Sequence, residues 1–519
     1  MAVDSEQQSH TSAPTLLAAA ENDNSQFSRD SIETYTDAAP NDDVETQRQS
    51  QKAAPEAAPD AQDWDGPDDP ENPMNWPPSK RYWQIFIVAM IQLISNLAST
   101  MFAPAASQLM EDFDFSSTLL SSLAVSIYVA GFAIGPLIWA PLSEVYGRLT
   151  IYAISSVLFV AFIVGSAFAT DLGMFLAFRL LSGCGGAASL ACSGGTLADV
   201  IPRRERGKWM ALLAIGPIMG PTIGPIIGGF VGQYIGWRWI FRLMAIMFGA
   251  LVPLAVLYLR ETYAPVILFR RETRRRKAEG LPPLSIARSE ITTKLKRSIL
   301  RPFKLLFLSP VVLFLALYAA FCFGLMFLLF TTFSAVFKGQ YGFSTGITGL
   351  AYIGMGVGTL GGLIVQGKFS DKIMHQRAAK RGGDVKPEDR IPLMAYFSWT
   401  IPVGMFWYGW SADAKTHWIV PIMGSTFVGI GFIFIMMPSM VYLVDCFGPE
   451  AAASALAAHT VLRSIAGAFL PLAGPKMYES LGYGWGNSLL GFLSLAMVPI
   501  PWYFMLYGEK MRLKRKLVL

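Results

Sequence analysis

Three side chains in this 519-residue sequence carry, or can acquire, charge inside stretches that are otherwise apolar: Arg179, His459 and Arg463. A charge at the centre of a bilayer costs roughly 2.5–3.5 kcal/mol on insertion scales, so such residues are candidates for function. His459 and Arg463 stand four apart and share one helix face. A guanidinium binds anions, and an imidazole exchanges a proton near neutral pH. An anion held between the two would couple proton occupancy to anion occupancy. Two readings stand for Arg179: a place on a ligand path, or a buried ion pair or hydrogen bonds to backbone carbonyls. For His459 the alternative is a polar packing residue. No Asp or Glu falls midway along any apolar stretch, so a strong cation would find no counter-ion there. Gln92, Asn96, Tyr128, Tyr318, Tyr352 and Tyr442 add polar atoms to apolar walls, a lining that suits a medium-sized organic ligand, although aromatic residues in such stretches more often pack.

Two motifs of soluble enzymes match by letter only. GVGTLG (356–361) follows no strand and continues with Gly354, Gly358 and Gly362 at helix spacing, which makes it a packing face. GFSTG (342–346) lacks the strand, turn and placed histidine of a nucleophile elbow. No GxxxxGK[ST] loop is present, so the chain itself does not hydrolyse ATP. The four cysteines lie in or beside apolar stretches and suggest no disulfide framework. No cofactor, metal, catalytic set or nucleic-acid partner is indicated, and the chain reads as a monomer.

The elements that must hold these residues are membrane helices. With 53% hydrophobic residues, 15% charged and a mean hydropathy of +0.40, the composition is that of an integral membrane protein. About twelve stretches reach the roughly 20 apolar residues that a span requires. Residues 1–79 differ: 17 Asp and Glu face 3 Lys and Arg, a composition that cannot bury enough apolar surface to fold. Their net charge of −14 leaves +19 on residues 80–519. The basic residues lie on one side: 32 Lys and Arg fall in one set of loops and tails, and four, Arg238, Lys338, Lys415 and Lys476, in the other. By the positive-inside rule both termini are cytoplasmic. The organisation expected is a disordered acidic tail (1–79), a six-helix bundle (80–259), a basic linker (260–309), a second six-helix bundle (310–507) and a basic tail (508–519).

The two halves repeat. APLSEVYGRL (140–149) follows the second span and GKFSDKIMHQ (367–376) the eighth, each with Ser and then an acid, Glu144 or Asp371. In the first copy Ser143 and Glu144 end a helix, Gly147 makes the turn, and Arg148 can meet lipid phosphate or an acid of the other half. Glu144 can cap a neighbouring helix or pair with a base, so the cluster can latch one conformation. The alternative is that Glu144 and Arg148 are interfacial charges. Farther on, GPIMGPTIGPIIGGFVG (216–232) carries six glycines and three prolines in seventeen residues. Gly216, Gly220, Gly224 and Gly228 recur every four residues and line one face for close helix approach, beside a row of Pro217, Pro221 and Pro225 that kinks the helix.

These residues carry a resemblance. From DWDGPDDPENPMNW (63–76) to the last span, the chain resembles the major facilitator superfamily, and within it the fungal twelve-span drug:proton antiporters. PLSEVYGR is similar to the superfamily's loop signature, LADVIPRRERGK (197–208), with Asp199 and Arg206, to its loop after span four, and GPTIGPIIGG, with Gly220, Gly224, Pro225, Gly228 and Gly229, to the antiporter motif. Ala140, Val145 and Leu149 depart from the usual glycine and two basic residues, leaving a less charged latch. The resemblance implies an all-α membrane protein of the major-facilitator fold, twelve transmembrane helices in two pseudo-symmetric bundles. It further implies a plasma-membrane secondary transporter exporting drugs, toxins or secondary metabolites in exchange for protons, with neutral or anionic substrates favoured by the charge census.

Overall fold

The computed structural model describes residues 64–202, 205–282 and 288–514. Most of the acidic tail, Arg203 and Arg204 of the RRERGK run, and the end of the basic tail lie outside them. Among the described residues every regular element is a helix. The N-terminal half holds spans one to six: Pro78–Thr100, which continues beyond a break around Pro104 as Ala106–Asp112, then Thr118–Tyr146, Arg148–Ala167, Leu172–Val200, Arg206–Tyr234 and Trp237–Tyr258. The seventh span is Pro310–Tyr341, the eighth Thr345–Leu350 with Ile353–Ala379, and the ninth two short pieces, Pro392–Phe397 and Thr400–Asp413.

The helical segment Ile419–Phe469 is 51 residues long and holds two spans. Trp418, just before it, packs on Phe343 at the end of the seventh span, with ring centroids 6.1 Å apart. Gly474, just after it, abuts Thr332 of the same region. Both ends therefore stand at one end of the bundle, and spans ten and eleven run antiparallel within it. Ala473–Met497 contains Gly482 at φ 70, a left-handed conformation that glycine adopts without strain, and there the chain turns into the twelfth span, continued by Pro499–Lys514. Two sets of six spans result.

The described residues between 260 and 309 form two helices, Ala264–Ala278 and Arg288–Leu308, the second of which packs on both the second span and the tenth-to-eleventh segment. The end of the acidic segment is ordered too, against the expectation drawn from its composition. Arg271 donates to Asp69 Oδ2 at 2.8 Å and also pairs with Asp65, while the Glu71 N–H donates to Asp69 Oδ1 at 2.8 Å. The distant linker supplies the counter-charge that residues 64–76 lack locally. The hydrogen bond from the Glu71 N–H, joined by that from Arg271, holds the Asp69 carboxyl below the usual carboxylate range.

The regular glycines set the packing of spans one and five. A Cβ on Gly220 would lie 2.7 Å from Asn96 Cβ, one on Gly224 would lie 2.9 Å from the Leu97 carbonyl oxygen, and one on Gly228 would collide with the Met101 carbonyl. The backbones thus approach too closely for any side chain on that stripe.

Candidate functional site

Five hydrogen bonds join the halves among the described residues. The Gly346 N–H donates to Gln233 Oε1 at 2.7 Å, Lys338 Nζ to the Pro104 carbonyl at 3.0 Å, Ser334 to the same carbonyl at 3.4 Å, and Ser126 to the Ala468 carbonyl at 2.7 Å. Lys338 also reaches Ser107 at 3.1 Å. All lie toward the end opposite the basic loops. Span five takes part on a second face: Gly229 approaches the Thr345 carbonyl, and Gly349 the Pro225 carbonyl. The glycine and proline stripe thus has two jobs, with Gly220, Gly224 and Gly228 packing inside one half, and Pro225 and Gly229 packing against the other.

From that seal, span eleven runs toward the basic end. Gly467 touches Phe323 of span seven and Val129 of span two. One turn farther, about 6 Å at helical rise, Arg463 lays its guanidinium over the Phe323 ring, 5.0 Å from the centroid. Another turn on is His459, fully buried. Neither imidazole nitrogen, nor Arg463 Nε, nor the hydroxyl of buried Ser464 has a hydrogen-bond partner among the described residues. Three polar side chains within six residues are left unpaired, where most buried polar groups find partners. Gln92 Oε1 in span one and Thr222 Oγ1 in span five are likewise buried and unpaired. Thr222 stands against Gly356 of span eight, on the seam between halves.

Arg179 differs. Completely buried, it donates to the carbonyls of Ala98 (2.8 Å), Val125 (3.2 Å), Ser99 (3.4 Å) and Ala124 (3.4 Å) and lies over the Tyr128 and Phe241 rings at 4.8 and 5.7 Å. Hydrogen bonds to a charged group contribute about 1.5–3 kcal/mol each, so four together exceed the insertion cost of roughly 2.5–3.5 kcal/mol. The carbonyl reading is the one this geometry satisfies: Arg179 clips span four to the end of span one and to span two. Arg463 is only half-buried, and a cation–π contact of about 0.5–2 kcal/mol is its single partner among the described residues.

The tyrosines are also occupied. Tyr128 donates to the Ser95 carbonyl and Tyr352 to the Phe330 carbonyl, both at 2.7 Å, while Tyr318 is buried in the core of the C-terminal half. Asn96 donates to the Gln92 carbonyl at 2.8 Å. Tyr442 lies away from the seam, at the basic end, donating to Glu388 Oε1 at 3.3 Å, which also accepts from Arg512 at 3.4 Å.

The loop cluster assembles with a different acid from the one expected. Gly147, at φ 95, makes the turn. Arg148 donates to Ser143 Oγ at 2.5 Å and reaches Asp199 of its own half at 3.5 Å, rather than an acid of the other half. Glu144 is exposed and hydrogen-bonds to nothing among the described residues. The cap on span three comes instead from Glu261, which accepts from the N–H groups of Arg148 (2.8 Å) and Leu149 (3.3 Å). The sequence reading missed Glu261 because the motif offered a nearer carboxylate. Arg206 donates to the Ala198 and Ile201 carbonyls at 2.8 and 3.0 Å, closing the C-terminus of span four. In the second half Arg390 bridges Asp371 (2.5 Å) and Asp445 (3.3 Å).

Two six-span halves sealed at one end, with unpaired polar side chains on the seam behind the seal, define a membrane transport protein rather than an enzyme. The chain belongs to the Major Facilitator Superfamily, whose family model matches residues 88–471. It is 49% identical over 460 residues to the MFS transporter prlG of Fungal sp. (strain NRRL 50135), covering 88% of this chain and 97% of that one. It is also 49% identical over 460 residues to the MFS transporter fsdG of Fusarium heterosporum, at 87% and 90% coverage. Among solved structures, the partially occluded inward open form of the xylose transporter XylE from E. coli superposes with a TM-score of 0.62 at 18% identity, covering 82% of this chain and 98% of that one. The proton:xylose symporter XylE bound to 6-bromo-6-deoxy-D-glucose gives 0.60 at 19%, covering 83% and 97%.

Proposed function

We propose that this chain exports small organic compounds, drugs, toxins or secondary metabolites of neutral or anionic character, across the plasma membrane in exchange for protons, as a monomer with both termini cytoplasmic. The observation that carries the reading is the unpaired Arg463, with unpaired His459 one turn away, on the seam between the halves. A ligand carboxylate or enolate supplies the acceptor that the protein withholds, and the apolar walls of spans one, five and seven cover the rest. With the basic end in the cytoplasm, the seal lies on the outer side and the cleft faces inward, ready to load cargo from the cell. His459 is the proton carrier nearest the cleft; Glu144, Asp199 and Asp445 are the other candidates. Arg179 serves the path by fixing spans one, two and four, and the Arg148 and Arg390 clusters serve it as latches at the cytoplasmic end. The relatives named as fungal MFS transporters support a transport role. A second reading, a uniporter or proton symporter for an organic acid, is favoured by the same guanidinium, since anion binding carries no direction.

The test is uptake of radiolabelled organic acids, neutral metabolites and cations into inside-out vesicles, with and without an imposed proton gradient. Gradient-driven accumulation of an acid or neutral compound supports antiport; uptake that ignores the gradient or runs against it assigns uniport or symport.

A further inference from the structure

A concave site lies at the basic end, away from the seam: a cavity of about 310 Å³ between residues 70–80, the residues that follow span six, and helix Ala264–Ala278. Its cations outnumber its acids. The carboxylates in its wall are already engaged: Glu261 by the backbone N–H groups of span three, and Glu71 by Arg271, 3.8 Å away. Arg271 is in turn held by Asp69 and Asp65. That leaves Lys80, Arg260 and Arg274 lining the cavity with no acidic partner among the described residues, beside Arg270, whose Nη2 lies 4.0 Å from Glu261. Lys80 rests on the Trp76 ring at 4.0 Å. Three like charges gathered around a pocket repel one another, and a bound anion relieves that repulsion.

The depth of the cavity identifies the anion's source. One turn along span one from Lys80, Trp83 stacks on Tyr258 at 5.0 Å, and Tyr82 stacks on Trp209 at 4.6 Å. Tyr82, Trp83 and Tyr258 are each about 40% exposed on the helix surface. Amphipathic rings presented outward at one level mark the headgroup zone of a bilayer. The volume is at the small end of ligand pockets, enough for a headgroup but not for a whole amphiphile.

We propose that Lys80, Arg260, Arg270 and Arg274 bind the phosphate-bearing headgroup of an anionic phospholipid, with its acyl chains running along the apolar surface beside Trp83 and Tyr258. The site rests on the cytoplasmic placement of the basic end only for the leaflet that supplies the lipid; binding itself is read in nanodiscs, where both leaflets are present, and is independent of what the central cleft carries.

The experiment is native mass spectrometry and thermal unfolding of the full-length chain in phosphatidylcholine nanodiscs with and without a minor fraction of phosphatidylinositol phosphate. Retained lipid adducts and a raised thermal midpoint are expected. Arg260→Gln with Arg274→Gln should weaken the effect roughly thirtyfold, at about 1 kcal/mol per interfacial cation, and leave the midpoint in phosphatidylcholine alone unchanged. The charge-matched pair Lys368→Gln with Lys372→Gln should leave lipid binding intact. Equal weakening by the control pair would overturn the site in favour of general surface attraction. Stabilisation by inorganic phosphate or soluble inositol phosphate as tight as that by the lipid would overturn the lipid assignment, and absence of any adduct would overturn both.

Discussion

Arg390 repeats in the C-terminal half the place that Arg148 holds in the N-terminal half. Each stands at the start of the third span of its half and reaches an aspartate at the basic end of the fourth, Asp199 at 3.5 Å and Asp445 at 3.3 Å. The two differ in burial. Arg148 and Asp199 side chains are 11% and 19% exposed, Arg390 and Asp445 22% and 37%. Removing one partner of a buried pair strands the other, whereas an exposed pair contributes little. Asp199→Asn is therefore expected to lower the thermal midpoint in detergent clearly more than Asp445→Asn. Equal shifts would mean that burial does not set the strength of these ion pairs.

Glu261 and Glu144 separate in the same assay. Glu261 caps span three through two backbone N–H groups, and losing a helix cap costs about 1 kcal/mol. Glu261→Gln should destabilise the protein, and Glu144→Gln should not. A larger loss from Glu144→Gln would return the capping role to the motif's own carboxylate.

On span five, glycines one residue apart should fail differently. Gly228→Leu drives a side chain into the Met101 carbonyl within one half, so the protein should lose both stability and transport. Gly229→Leu presses on the Thr345 carbonyl across the seam. It should leave the halves folded but hold the sealed end open, read as new accessibility of a cysteine placed at Thr222, buried on the seam, to a membrane-impermeant reagent. Unchanged labelling and unchanged flux in a well-expressed Gly229→Leu variant would refute the seal.

The ordered segment 64–76 should respond to acid alone. Because the folded Asp69 carboxyl is held below its unfolded value of about 4, its contribution to docking is fully present above that value and is lost as pH falls through the lowered one. Hydrogen-exchange protection of residues 65–75 should thus be flat from neutral pH down to about 5 and fall only below about 4. Asp69→Asn should remove protection at every pH. A transition near neutral pH would assign docking to another group.

Much of the fold was legible because apolar length and loop charge report directly on what a bilayer requires. The six-plus-six division could be read from PLSEVYGR and GKFSDK, and the close face of span five from glycines four apart. Long-range partners could not. Glu261 lies 113 residues from Arg148, and only the folded bundle brings it nearer than Glu144, four residues away. Arg179 and Arg463 look alike in the sequence, since each is an arginine amid apolar neighbours. What separates them is the break at the end of span one, which presents carbonyls to Arg179 and nothing comparable to Arg463. The order of residues 64–76 escaped composition for the same reason, its counter-charge lying about two hundred residues along at Arg271.

No described span offers a carboxylate beside His459 or Arg463, and desolvating a fixed cation without a counter-ion costs several kcal/mol or more. Polyamines and quaternary amines should be poor substrates. Arg463→Ala should raise the concentration of an acidic substrate needed for half-maximal flux at least tenfold, the loss of one charge-assisted contact of about 1.5–3 kcal/mol, with less effect on a neutral one. Arg179→Ala should instead reduce the amount of folded protein, because four carbonyls lose their donor, without changing selectivity in the fraction that folds. His459→Ala should alter the pH dependence of flux while substrate still binds; if that dependence persists unchanged, the proton travels by another group. Saturable polyamine efflux, poorly competed by organic acids and indifferent to Arg463→Ala, would show that Arg463 is a packing residue and that the cleft recognises its cargo by other means.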